Sequence, residues 1–277
     1  MLRGRESTNI EDRRGMGGKG IALGGGGCGT LLIIILALIF GVDPRQFLDT
    51  GTQPEAPPQT QTQQRPQQNN SQDDQRRFVA SVLGSTEDAW REILPQQARV
   101  QYQDPRLVLF EGQVQSACGV AGSSTGPFYC PGDNKLYLDF AFFRELQTEF
   151  KAPGDFAQAY VIGHEVGHHV QNLLGTMDKV NRAGNTNALS VRLELQADCY
   201  AGVWANYAQK KGQLETGDVE EALRAASSVG DDTIQKRAQG YVVPESFTHG
   251  SSKERMQWFT RGFQSGNMRQ CDTFATR

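Results

Sequence analysis

The chain has 277 residues, with 28 lysines and arginines against 31 aspartates and glutamates and a formal net charge of -3. That length can bury one substantial core with appendages. The balance shows no clustered basic excess, so no nucleic-acid partner is expected.

Residues 1–20 are glycine-rich and charged, carrying Arg3, Arg5, Arg13, Arg14 and Lys19 against Glu6, Glu11 and Asp12. Residues 21–42, IALGGGGCGTLLIIILALIFGV, carry no charge. As a helix, that run would cross roughly 30 Å of hydrocarbon. No small-x-small cleavage site follows it, so an uncleaved transmembrane anchor is expected rather than a signal peptide. The basic residues before it place residues 1–20 in the cytoplasm. The expectation is a single-pass membrane protein whose body is periplasmic or otherwise extracytoplasmic.

Residues 43–72 read as a linker. Their Gln/Pro/Thr/Asn tract at 51–72 has too few apolar side chains to offset ordering entropy by burial. The folded domain is expected over 73–277. Its class should be α+β: a mainly helical body with a small antiparallel sheet. Phe78, Val82, Ala89, Trp90 and Ile93 recur at helical spacing. Gly84-Ser85 is expected to break that stretch into two helices, with Ser85 capping the second. Two runs read as β structure, 106–119 and 134–143. In the latter, Leu136, Leu138 and Phe140 alternate with Tyr137 and Asp139. From Phe142 onward, helical patterns dominate.

Cys28 lies in the apolar run, and Cys118, Cys130, Cys199 and Cys271 form an even set in the body. Four cysteines allow three disulfide pairings, and the sequence does not choose among them. Cys118 with Cys130 would close a short loop and leave Cys199 with Cys271. There is no CxxC pair, which argues against a cysteine zinc site.

The segment FAQAYVIGHEVGHHVQNLL, residues 156–174, sustains a buried helix. It contains His164, Glu165 and His168 in HExxH spacing. Residues four apart share a helix face, so both imidazoles can reach one Zn2+. Glu165 lies about 100° around the helix and can face a water without being a ligand. Gln171 and Leu174 stand where an extended HExxHxxGxxH pattern would place Gly and His, which excludes that class. The third ligand must then come from a later helix. In SVRLELQADCYAGVWANYA, residues 190–208, Glu194 and Asp198 lie four apart. Carboxylates on an apolar face are costly without a cation or donors. Glu194 is the candidate third ligand. Asp198 would accept the free N–H of a ligand histidine. Salt bridges for both, or an exchange of their roles, are the alternatives. Ala197, Ala201 and Gly202 would let the two site helices approach closely. His169 points away and is expected to be structural. His249 or Arg255, and more weakly Tyr241, could donate to a developing oxyanion.

The pattern resembles the gluzincin class of metallopeptidases, which implies a zincin-like body. More widely, the chain is similar to the bacterial family of putative neutral zinc metallopeptidases. The segments that carry the resemblance are GPFYCPGDNKLYLD at 126–139, HEVGHHVQ at 164–171, ELQADCYAGVW at 194–204 and SFTHGSSKERMQWFTRGF at 246–263. It implies zinc ligands His164, His168 and Glu194, with Glu165 catalytic. Asp198 matches the place where gluzincins often carry an aspartate behind a ligand.

The expected activity is hydrolysis of peptide or protein substrates, with Glu165 as general base and His249 assisting. The strand near 134–140 could pair with an extended substrate, with Tyr137 and Leu138 near the cleft. Two rival readings remain open. One is a zinc-stabilised interaction protein without turnover. The other is a zinc hydrolase of non-peptide amides.

Overall fold

The computed structural model describes residues 4–15 and 67–275. The strands are β1 (Ile10–Asp12), β2 (Arg106–Phe110), β3 (Gln113–Ser116), β4 (Gly119–Gly122), β5 (Phe128–Cys130) and β6 (Lys135–Asp139). The helices begin with α1 (Gln67–Ala98), α2 (Phe140–Thr148), α3 (Asp155–Leu173) and α4 (Thr176–Arg182). They continue with α5 (Asn187–Lys210), α6 (Asp218–Ser228), α7 (Asp231–Gln239) and α8 (Ser252–Ser265). A short 3-10 turn at Met268–Cys271 follows α8.

The body is helical with a small sheet, as expected, but that sheet is mixed rather than antiparallel. Its order is β1-β2-β6-β5. Strand β2 runs parallel to both β1 and β6, and β5 runs antiparallel to β6. Parallel neighbours need long connections. The chain supplies them: α1 lies between β1 and β2, and the separate β3–β4 hairpin with β5 lies between β2 and β6. Strand β2 reads RLVLF because both of its faces are covered. Leu107 and Leu109 face the main core with Phe78, Val82 and Trp90 of α1. Val108 and Phe110 face a smaller cluster with Val114, Ala121 and Tyr137.

The run 106–119 holds β2, β3 and the first residue of β4, and the run 134–143 changes character at Asp139. The Asp139 carboxylate accepts the Ala141 N–H at 2.9 Å and so starts α2. A short acidic side chain at an N-cap outweighs the β preference of the aromatic residues that follow.

The expected break at Gly84-Ser85 is absent, and α1 is one helix. Gly84 serves another purpose. A Cβ there would lie 2.1 Å from the Arg5 carbonyl oxygen, so the missing side chain lets the N-terminal segment cross the helix. Ser85 is not a cap. Its hydroxyl accepts from Trp204 Nε1 at 3.0 Å and donates to Gln213 Oε1 at 2.6 Å.

Residues 4–15 belong to the same unit as the body. The Ser7 N–H donates to the Ala80 carbonyl of α1. The buried Glu87 carboxylate accepts from Ser7 Oγ at 2.6 Å, Asn9 Nδ2 at 2.8 Å and Arg5 Nη2 at 2.6 Å. These partners meet the requirement that a buried charge be paired and hydrogen-bonded.

This arrangement overturns the expected single-pass topology. Residues 5–14 and the body cannot lie on opposite faces of a bilayer while sharing a sheet and the hydrogen bonds to the buried Glu87. No helix among the described residues is long and apolar enough to cross a membrane. The run 21–42, Cys28 and most of the 43–72 linker lie outside the described residues.

Both disulfides follow the short-loop pairing. Cys118–Cys130 ties the connection between β3 and β4 to β5, and Cys199–Cys271 ties α5 to the C-terminal turn.

Candidate functional site

Helix α3 is buried along nearly its whole length, which its apolar run FAQAYVIG and its Val166 and Val170 allow. The Glu221 carboxylate accepts the Phe156 N–H at 3.0 Å, satisfying one of the donors orphaned at the helix start. Helix α5 crosses α3 closely. A Cβ on Gly167 would lie 2.9 Å from the Ala197 carbonyl oxygen, so glycine between the two ligand-spaced histidines sets this contact. Gly202 turns elsewhere: a Cβ there would meet the Phe259 oxygen of α8 at 2.1 Å. Thus Ala197 lies at the contact of the site helices, while Gly202 serves a different pair.

This contact brings His164 and His168 against Glu194. His164 Nε2 lies 3.1 Å from one Glu194 oxygen, and His168 Nε2 lies 3.3 Å from the other. One ligand atom from each of the three residues falls within 4.8 Å of the others. The outer ring nitrogens are already engaged. His164 Nδ1 lies 2.8 Å from Asp198 Oδ1, and His168 Nδ1 lies 2.9 Å from Gln171 Oε1. An acceptor on each Nδ1 selects the tautomer with a bare Nε2 turned inward. Two imidazole nitrogens and a carboxylate oxygen are a donor set that fits zinc.

Asp198 is fully buried and holds more than His164. Its carboxylate accepts from Arg255 Nε at 2.8 Å and Nη2 at 3.0 Å, and from the Tyr160 hydroxyl. Arg255 Nη1 also reaches the Val229 carbonyl at 3.2 Å. Arg255 is therefore the buried counter-ion of Asp198. That commitment leaves it poorly placed as a free donor to substrate.

Burial would depress the His164 imidazole, but Asp198 and Glu194 outweigh it and lift the ring to about 10. His168 follows the same pattern, with burial opposed by Glu194, and is also raised. Burial would raise Glu194, yet the two imidazoles pull it well below the usual carboxylate range. The pocket thus favours net positive charge at its centre, whether from protons or from a metal.

Glu165 is buried beside the three candidate ligands. Burial raises its carboxyl, while His168 and His164 pull it down and the Tyr129 main chain donates a hydrogen bond. His164, Glu165, His168, Glu194, His249 and Arg255 all line one cleft of about 530 Å³.

The His249 ring is about half exposed, with Nδ1 3.1 Å from Asp231 Oδ1. The other Asp231 oxygen accepts the N–H groups of Thr248, His249 and Gly250 at 2.7, 2.6 and 3.0 Å. The loop bearing His249 is thereby pinned. His169 turns away into the body, between the Tyr129 hydroxyl and the Gln103 carbonyl. Tyr241 is exposed and does not line the cleft.

Strand β6 is internal, so it cannot offer its edge to a substrate. Tyr137 is buried and stacked on Phe128 at 4.8 Å. The sheet edge nearest the site is β5, whose Phe128 and Tyr129 line the cleft.

Sequence reasoning did not single out Tyr160, Gln171 as a partner of His168, or Asp231. The first two had a signal: Tyr160 lies four residues before His164, and Gln171 three after His168, each on the same helix face. Asp231 had none, because its partners come from a loop beyond α7.

Two histidines one turn apart and a carboxylate from a second helix, with a buried acid beside them, could hold a metal ion on a helical α+β body. The chain belongs to the putative neutral zinc metallopeptidase family, whose sequence pattern it matches over residues 2–274, and zinc is the cofactor this membership implies. It is 46% identical over 284 residues to the uncharacterized protein YpfJ of Escherichia coli K12, covering 98% of this chain and 96% of that one. It is also 46% identical over 209 residues to the uncharacterized protein Rv2575 of Mycobacterium tuberculosis H37Rv, covering 71% and 70% of the two chains. No solved structure matches it.

Proposed function

We infer that the protein hydrolyses peptide bonds, with zinc held by His164, His168 and Glu194 and with Glu165 as general base. The observation that carries this reading is the convergence of the two Nε2 atoms on the Glu194 carboxylate, beside a buried acid in an open cleft. Bound there, zinc would supply the Lewis acidity that polarises a carbonyl and acidifies water.

The chain's own groups would do the rest. Glu165, raised by burial, is suited to take a proton from water and return it to the leaving amine. Asp198 and Gln171 keep the two imidazoles aimed inward. His249, whose doubly protonated ring is favoured by the Asp231 carboxylate at Nδ1, would donate from Nε2 toward developing oxyanion charge. The β5 edge can align an extended peptide by main-chain pairing. Phe128, Phe142, Phe150 and Ile234 along the cleft suit apolar side chains of such a peptide.

The test is Glu165→Gln, assayed for zinc content and for cleavage of a peptide library. Zinc should be retained while cleavage falls at least about 100-fold, within the usual range for general-base loss. Undiminished cleavage would remove Glu165 from the mechanism.

A further inference from the structure

Gln171 is fully buried, and its amide is held at both ends. Nε2 donates to the Leu193 carbonyl at 2.7 Å and to Gln196 Oε1 at 3.1 Å. Gln196 in turn donates from its own Nε2 to the Cys271 carbonyl at 3.0 Å. Cys271 is bound to α5 through Cys199.

The direction of this chain is dictated at its far end. A main-chain carbonyl can only accept, so the Gln196 nitrogen must face Cys271 and its oxygen must face Gln171. The Leu193 carbonyl imposes the same orientation on Gln171. Flipping either amide would set oxygen against oxygen. Gln171 Oε1 is therefore committed to His168 as an acceptor, and His168 must carry its hydrogen on Nδ1.

We propose that Gln171 is the positioning residue of His168: it fixes the imidazole with Nδ1 protonated and Nε2 presented to zinc, and it takes its own orientation from Gln196 and the disulfide-anchored Cys271 carbonyl. Gln171 touches neither the reacting atoms nor the metal, and acts only through His168. The proposal rests on the zinc assignment above. It adds that the geometry of one ligand is set jointly by α3, α5 and the C-terminal turn.

The experiment uses the full chain, with zinc affinity measured by chelator competition and the His168 ring nitrogens observed by NMR. Gln171→Met removes both the acceptor and the donors at similar length. It should weaken zinc about 10- to 100-fold, the usual cost of losing a partner behind a ligand. The His168 Nδ1–H signal should lose its single, slowly exchanging form.

Gln171→Glu keeps an acceptor for His168 but turns a carboxylate toward the Leu193 carbonyl. It should melt at a lower temperature and yet bind zinc within about tenfold of the parent, since the contact behind the ligand survives. A merely structural glutamine would show the reverse coupling, with zinc affinity following stability. If Gln171→Met fails to fold, Gln171→Glu and Gln196→Leu decide the matter by the same two readouts. Parent-like zinc affinity with an unchanged His168 signal in Gln171→Met would overturn the positioning role and leave the ligand assignment intact. Absence of zinc uptake by the parent chain would overturn both.

Discussion

His164 and His168 stand one turn apart on α3 and face opposite oxygens of the same Glu194 carboxylate, yet they are supported by different chemistry. Behind His164 is an ionised aspartate balanced by a buried arginine and a tyrosine hydroxyl. Behind His168 is a chain of uncharged amides ending on a main-chain carbonyl. The charged support gives a strong interaction in a low-dielectric interior, but it leaves an expensive remnant if one partner is lost. The amide support carries less energy and more direction. One centre thus draws rigidity from ion pairing on one side and from hydrogen-bond polarity on the other.

The sharpest way to break this asymmetry is Asp198→Ala. It strands Arg255 without its counter-ion in a buried site, a change that typically costs 3–5 kcal/mol, or roughly that range here. Chemical denaturation of the metal-free protein should show a loss of this size, larger than that of Gln171→Met. A smaller loss than Gln171→Met would reverse the assigned roles of the two supports.

A pH series separates the two sides without mutation. The folded-state His164 is raised to about 10, so the stability it contributes to the metal-free protein is fully present below its unfolded value, about 6.5, and is lost as pH climbs through about 10. Glu194 and Asp198 are depressed, so their contribution is present above the ordinary carboxylate range and is lost as pH falls below it. Melting temperature without metal should therefore decline on both flanks. Zinc bound as proposed would take the place of protons on the imidazole nitrogens, so the alkaline decline should flatten when zinc is added. An alkaline decline unaffected by zinc would mean that the ion binds elsewhere.

The smallest expected effect concerns the third histidine of the cleft. The Asp231 hydrogen bond raises His249 against the effect of burial. Asp231→Asn should return His249 toward its ordinary value, as read by NMR titration. Because the ring is about half exposed, the loss of ion pairing should change stability by no more than about 1 kcal/mol below pH 6.5. An unmoved His249 would exclude Asp231 as its partner.

Much of the helical frame was legible from local patterns. The apolar run around HExxH and the alternation in β6 are written in adjacent residues, and periodicity translates such patterns directly into faces. The errors came where a local cue met a distant partner. Gly84 looks like a helix break until Arg5 is found lying against it. FAFF looks like a strand until the Asp139 carboxylate caps it. The basic start looks like the flank of a membrane span until Ser7 and Asn9 are found on the buried Glu87. In each case a contact more than seventy residues away in sequence, or a single capping bond, outweighed composition.

By itself, the sequence determined that two imidazoles share a helix face with an acid beside them, because the 3.6-residue period permits nothing else at that spacing. It left the disulfide pairing of the four cysteines in the body open. Only the tertiary structure decided that Glu194 meets both imidazoles, that Asp198 and Gln171 stand behind different rings, that β5 rather than β6 presents the free edge, and that the first residues belong to the sheet. Those outcomes depend on which helix faces which and at what distance. They are fixed by close packing, such as the contact of Gly167 with Ala197, between segments that the linear order keeps apart.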